Sequence, residues 1–80
     1  MRIQDLKAAL DHAGVNPDAY SIETGYMEDS YVLTREPPGR WVIYFGERGS
    51  RWDLRLFESE EEACAHFLQW ILKDVSTRLR

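Results

Sequence analysis

Apolar residues recur with a helical period at both ends of the chain and with a strand-like pattern between them. The first segment has apolar residues every three or four positions, at Ile3, Leu6, Leu10 and Ala13. This spacing predicts an amphipathic helix over residues 3–12. Gly14 can adopt the left-handed conformation that ends a helix, and Val15 follows it as a hydrophobic partner for Leu10. We therefore expect the helix to close with a Schellman motif.

The middle of the chain predicts β-strands. Residues 31–35 are rich in β-branched and aromatic side chains, and residues 41–45 are apolar throughout. The unbroken apolar run indicates a central strand with cover on both faces. Residues 52–57 place Trp52, Leu54 and Leu56 at alternate positions, which predicts one buried and one wet face. Residues 20–22 are a further candidate strand.

A second helix follows the strands. Ser59, with Glu62 three residues later, has the pattern of a capping box. Apolar residues then continue at helical spacing, at Ala63, Cys64, Phe67, Leu68, Ile71, Leu72 and Val75. We expect residues 76–80 to fray, since they are mostly polar. Residues 23–30 have no period and predict a loop.

Together these elements predict an α+β fold in a single domain over residues 1–80. We expect a three- to four-stranded antiparallel meander, with the N-terminal helix and the longer C-terminal helix packed on one face. The chain has 80 residues, of which 44% are hydrophobic, so it can bury one small core.

Composition bears on where the protein works. The chain contains one cysteine, so it cannot form an intramolecular disulfide, which favours a reducing compartment. Its first residues are charged where a signal peptide needs an apolar stretch, and no window resembles a membrane span. We therefore expect a cytoplasmic protein without a membrane partner.

The sequence offers little catalytic or metal-binding chemistry. Its only thiol is Cys64 and its only imidazoles are His12 and His66. Cys64 lies on the apolar stripe, where a free cysteine is usually a small core residue. The histidines and the cysteine lack the paired spacing of a zinc site, and Glu60, Glu61 and Glu62 are better explained as a helix start. We expect neither an enzyme nor a metal or cofactor.

One residue pattern suggests nucleic-acid binding. Five arginines interleave with three aromatic residues, namely Arg35, Arg40, Arg48, Arg51 and Arg55 with Trp41, Tyr44 and Trp52. This is the composition of a sheet that stacks bases and contacts phosphates. The net charge of −4 and nearby acidic residues count against it. A small nucleic-acid-binding module is therefore the alternative interpretation.

The hairpin and the second helix together carry a resemblance to a known class of proteins. Tyr44, Glu47-Arg48-Gly49, Phe57 and Glu60-x-Glu62-Ala63 follow one another over residues 41–65. In these features, and in residues 14–21, the chain resembles small bacterial immunity proteins encoded beside polymorphic or contact-dependent inhibition toxins. The resemblance implies neutralisation by binding, in which the protein occludes a cognate toxin domain, commonly a basic nuclease.

The resemblance also implies which side chains meet the toxin. Carboxylates would face toxin lysines and arginines, and aromatic residues would act as anchors. The expected partner-binding residues are Glu23, Tyr26, Glu28, Asp29, Tyr44, Glu47, Arg48, Arg51, Trp52 and Asp53. Each could instead be an ordinary surface charge or a half-buried sheet residue. A homo-oligomer is compatible with the sequence, but nothing in it indicates one.

Overall fold

The computed structural model describes residues 1–79. Within them, two α-helices and four strands follow in the order α1 (Ile3–His12), β1 (Tyr20–Ile22), β2 (Ser30–Glu36), β3 (Arg40–Glu47), β4 (Ser50–Phe57) and α2 (Glu60–Leu72). Short 3-10 helices span Pro17–Ala19 and Val75–Thr77. No helix of this part of the chain is long and apolar enough to cross a membrane.

The four strands form one sheet in the order β1-β2-β3-β4. Strands β2, β3 and β4 form an antiparallel meander, whereas β1 pairs parallel to β2. The α+β prediction is confirmed, with the correction that the sheet is mixed. The parallel pair is possible because β1 has only three residues, so the loop of residues 23–29 can return the chain to the start of β2.

Both helices pack on one face of the sheet, which we call the helix face. The largest core cluster joins residues of β2 and β3 with residues of both helices. It contains Leu6, Leu10, Val15, Ile22, Tyr31, Leu33, Trp41, Ile43, Ala63, Cys64, Phe67 and Ile71. These side chains alternate along the strands and recur at helical spacing in α1 and α2, so burial of this cluster follows the predicted pattern. The predicted central strand is confirmed as β3.

The end of α1 forms as predicted, and the start of α2 does so in part. The N–H of Val15 donates to the carbonyl of Leu10 at 3.0 Å, and the N–H of Gly14 donates to that of Asp11 at 3.0 Å. This is the Schellman pattern, and Gly14 has a φ of +76°. At the start of α2, the Ser59 hydroxyl accepts the N–H of Glu62 at 3.2 Å. The Glu62 carboxylate accepts the Ser59 hydroxyl at 3.2 Å rather than the Ser59 backbone N–H, so the predicted capping box forms only in its first bond.

The prediction of a frayed tail is wrong for residues 76–79, and Arg80 lies outside the described residues. The N–H of Leu79 donates to the carbonyl of Gly14, and the N–H of Asn16 donates to that of Thr77, both at 2.6 Å. The Arg78 guanidinium also donates to the carbonyl of Leu72 at 2.6 Å. The first two bonds tie the tail to the segment that follows α1, and the third ties it to the end of α2.

The opposite face of the sheet, which we call the far face, carries no helix. Its buried residues are Val32, Val42 and Tyr44. Part of their cover comes from the loop of residues 23–29, because the Tyr26 ring stacks on the Tyr44 ring with centroids 6.4 Å apart. The loop passes so close to β3 that a Cβ atom at Gly46 would lie 2.5 Å from the Met27 carbonyl oxygen. Only glycine fits at that strand position.

Strand β4 differs from its prediction. The expected buried face of Trp52, Leu54 and Leu56 is absent, since their side chains are 53%, 39% and 50% exposed. Their regular alternation is also broken. The register shifts between Ile43 and Phe45, and the extra residue on β4 is accommodated by a bulge. Strand β4 is the edge of the sheet, so it lacks a neighbour on one side.

We predict that Gly46→Ala lowers the free energy of unfolding by about 1–3 kcal/mol, because the added methyl group overlaps the Met27 carbonyl. Urea denaturation measures this loss. The substitution should also speed amide exchange at Arg48 and Gly49, whose N–H groups bond to loop side chains.

Gly14→Ala is the matched control, because a Cβ there meets nothing within 4 Å and only its φ is unfavourable. It should leave exchange at Arg48 and Gly49 unchanged. Equal exchange rates at these two amides in the wild type and in Gly46→Ala would contradict the close packing of loop and strand.

Candidate functional site

The β3–β4 turn is fastened to the loop of residues 23–29. Arg48 and Gly49 form a two-residue turn with φ of +54° and +74°, as hairpin turns require. The Tyr26 hydroxyl donates to Glu28 Oε1 at 2.6 Å and accepts the N–H of Gly49 at 2.8 Å. Glu28 Oε2 accepts the N–H of Arg48 at 2.6 Å. Two of the predicted partner-binding residues, Tyr26 and Glu28, therefore hold the turn in place, and a third, Arg48, is part of the turn.

These contacts also change the acidity of the two side chains. The hydrogen bond from Tyr26 and those from the Arg48 and Gly49 amides lower the pKa of Glu28. The bond to Glu28 raises the pKa of Tyr26 in turn. Both shifts favour the ionised carboxylate and the neutral phenol that the hydrogen bonds need. The turn is thus held by a carboxylate at neutral pH.

Tyr44 and Arg51 form a second group on the far face. Tyr44 is only 2% exposed, so its side chain supports this surface from beneath. The Arg51 guanidinium lies over the Tyr44 ring, 5.4 Å from its centroid. It also donates to both carboxylate oxygens of Glu36, at 2.9 and 3.2 Å. Both bonds come from the same nitrogen, Nη1, so this exposed ion pair holds the guanidinium less firmly than a fork of two parallel N–H bonds would.

An open groove of about 590 Å³ separates β4 from α2. Its lining residues are Ile43, Asp53, Leu54, Arg55, His66, Gln69, Trp70 and Lys73. Two of them, Arg55 and Lys73, are cationic and exposed. The groove lies beside the edge strand, so exposed residues of β4 and residues of α2 line it together.

A second recess of about 360 Å³ adjoins this groove and shares Asp53 and Trp70 with it. Its lining residues are Tyr31, Phe45, Glu47, Trp52, Asp53, Trp70 and Asp74, and we call it the aromatic recess. Four of the seven are aromatic and the other three are carboxylates. Such a lining combines apolar surface with negative charge.

The bulge in β4 places two of these residues. Trp52 lies opposite Phe45, which packs on the helix face, whereas Leu56 lies opposite Val42 on the far face. Asp53 at the bulge has a φ of +56° and borders the recess. The Trp52 indole N–H donates to the Glu47 carbonyl at 3.3 Å, which holds the exposed ring over the opening.

The structure divides the predicted partner-binding residues into separate groups. Glu47, Trp52 and Asp53 meet at the aromatic recess. Tyr26, Glu28 and Arg48 meet at the turn, and Asp29 is an exposed residue of the same loop. Tyr44 and Arg51 meet on the far face. Glu23 lies elsewhere, in a shallow recess beside Arg2, Ile3, Gln4, Lys7 and Glu60.

Sequence reasoning did not find the remaining wall of the recess. Tyr31 lies on β2, Phe45 on β3 and Trp70 in the last turn of α2, and Asp74 lies just after that helix. A signal was present at Trp70, an aromatic residue that does not belong to the apolar stripe predicted for α2. Asp74 could be identified only from its contact, since its carboxylate accepts the Tyr31 hydroxyl at 2.8 Å.

The stacking face that the nucleic-acid interpretation requires is not assembled. Trp41 is 7% exposed and Tyr44 is 2% exposed, which leaves Trp52 as the accessible ring of the three. The Arg35 guanidinium lies 5.5 Å from the Trp41 centroid and donates to the Gly39 carbonyl at 3.1 Å. Arg51 is held by Glu36. These contacts withdraw aromatic and cationic groups from a nucleic-acid ligand.

Cys64 is a core residue. Its side chain is fully buried, and burial raises the pKa of the thiol to about 11, so the thiol is neutral at pH 7. Within residues 1–79, no three His, Cys, Asp or Glu side chains are grouped in a way that could hold a metal ion.

The chain matches none of the protein-family models, curated proteins or solved structures with which it was compared. Its function must therefore be inferred from the contacts described above.

We predict that Tyr31→Phe lowers the free energy of unfolding at pH 7 by about 1 kcal/mol, because the bond to Asp74 is lost. Burial, followed by the bond to Asp74 and its charge, raises the pKa of Tyr31 from 10.0 to about 12. A raised folded-state pKa means that the phenol stabilises the fold below pH 10.0 and loses this effect as pH rises towards about 12.

Urea denaturation at several pH values tests both parts. Between pH 10.0 and about 12, stability should fall less steeply in Tyr31→Phe than in the wild type. Parallel stability curves for the two proteins over this range would show that folding does not raise the pKa of Tyr31.

Proposed function

We propose that this chain binds a second protein through β4 and the surfaces beside it, and that the partner is a cognate bacterial toxin domain that it neutralises. The observation that carries the proposal is the exposure of β4, an edge strand that presents large apolar side chains to solvent. The proposal has two parts, a binding surface and a partner class, and they have different support.

The binding surface is supported by the composition of β4. Trp52, Leu54 and Leu56 are exposed along one edge strand, and tryptophan is enriched among the residues that anchor protein interfaces. An unpaired edge can also bind another chain through backbone hydrogen bonds. Charged residues between the apolar ones, together with the bulge, limit indiscriminate pairing of this edge. A partner must therefore match both the apolar and the charged positions.

The partner class is supported by the resemblance to immunity proteins and by charge. The net charge of −4 favours association with a basic protein, since complementary charge speeds diffusional encounter. Acidic side chains lie close to β4, with Glu47 and Asp53 at the aromatic recess. Neutralisation requires that a toxin domain bound there be covered on the surface it needs for its substrate.

We predict that the chain protects bacteria from the toxin domain encoded by the adjacent reading frame. The two products should form a stable complex when coexpressed, and growth should be restored. Leu56→Lys should weaken binding by about 30-fold or more, since a buried interface anchor contributes at least about 2 kcal/mol. Isothermal titration calorimetry with purified toxin domain measures the change.

Leu79→Lys is the matched control, because Leu79 is an equally apolar and exposed residue that hydrogen-bonds beside Gly14, away from β4. It should leave affinity unchanged. Full protection by Leu56→Lys would contradict the proposed surface. Absence of complex at micromolar concentration would contradict the proposed partner, and salt-dependent retention on heparin at about 0.15 M salt would support the nucleic-acid alternative instead.

A further inference from the structure

The aromatic recess has walls fixed by ring–ring contacts. The Tyr31 ring lies edge-on to Trp70, with centroids 4.7 Å apart and planes at 83°. It lies edge-on to Phe45 as well, at 5.0 Å and 72°. Tyr31 is buried and its hydroxyl is held by Asp74, so these three rings form a preorganised wall. The Trp52 side chain, on β4, is more than half exposed and forms a further part of the lining of the recess.

The carboxylates of the recess lack cationic partners within the described part of the chain. Neither Glu47 nor Asp53 takes part in an ion pair there. Asp74 accepts from Tyr31 and from Ser76, both neutral groups. Arg55 and Lys73 border the neighbouring groove without pairing with these acids. The recess therefore holds negative charge beside aromatic surface, and the chain itself does not neutralise it.

We propose that the aromatic recess receives an arginine side chain of the protein partner. A guanidinium is attracted by the faces of aromatic rings and can donate to carboxylates at the same time. Its planar shape allows stacking on an indole while its N–H groups reach Glu47 or Asp53. This assignment rests on the proposed function, since it supplies one specific contact for the protein partner inferred above.

The recess would make the interaction selective as well as stable. Glu47, Trp52 and Asp53 are among the residues expected to bind the partner, and the bulge brings the last two to the same opening. Arg55 and Lys73 in the adjoining groove would repel a second cation placed there. A fitting partner carries its arginine opposite the recess and an acidic or neutral group opposite the groove.

Nuclear magnetic resonance titration tests the recess without the partner. The probe is N-acetyl-arginine amide, and N-acetyl-citrulline amide is the neutral isostere. We expect the arginine derivative to shift the indole N–H resonances of Trp52 and Trp70, with a dissociation constant on the order of millimolar. Citrulline should shift them much less. Equal shifts with both compounds, or shifts confined to other residues, would overturn the proposal.

Variants and other cations test which carboxylate and which kind of cation the binding depends on. Asp53→Asn should weaken arginine binding roughly 5-fold, whereas Asp11→Asn, on α1, should have no effect. Equal affinity of the two variants would contradict the assignment. N-acetyl-lysine amide and tetramethylammonium serve as further probes. Binding of tetramethylammonium without binding of arginine would assign the recess to a free quaternary ammonium and would overturn the proposal.

The outcomes also separate this inference from the proposed function. If arginine amide binds but the toxin domain does not, the recess is a cation site and the proposed function fails. If the toxin domain binds the wild type and Asp53→Asn equally well while Leu56→Lys binds weakly, the proposed function stands and the recess assignment fails.

Discussion

Helices cover only one face of this sheet, and the rest of the structure follows from that constraint. The chain is long enough for two helices, and both pack against the helix face, where α2 covers the centre of the sheet. A domain of this size buries a limited share of its surface, so a second complete layer is not available. The far face and the edge must then be protected by other means or remain accessible.

The far face is protected by the loop of residues 23–29, whereas the edge of the sheet at β4 remains accessible. The loop protects the far face, because Tyr26 stacks on Tyr44 and Gly46 lets the backbone approach closely. Strand β4 remains accessible, and its bulge turns residues of one strand towards different surfaces. The same strand borders a groove with cationic residues and a recess with acidic and aromatic ones. This variety of chemistry along one strand is the basis of the proposed recognition of a protein partner.

Much of the fold could be predicted because its determinants are local. Helical spacing, the Gly14 stop and the Ser59 cap each depend on residues close in sequence. The parallel pairing of β1 was not predictable in this way, since it depends on where the loop crosses the sheet. The exposure of Leu56 was missed because alternation indicates which residues share a face, but it does not show whether that face is covered. The recess was found only in part, because Tyr31, Trp70 and Asp74 join it through tertiary packing.

The central claim is that β4 is the surface through which this chain recognises another protein. Hydrogen exchange of the backbone amides, compared between the free chain and its complex with the proposed toxin partner, tests it most directly. The account predicts slower exchange in β4 and at the C-terminal end of α2 on complex formation, with α1 unchanged. Protection confined to α1, or a complex that leaves exchange in β4 unaltered, would contradict it.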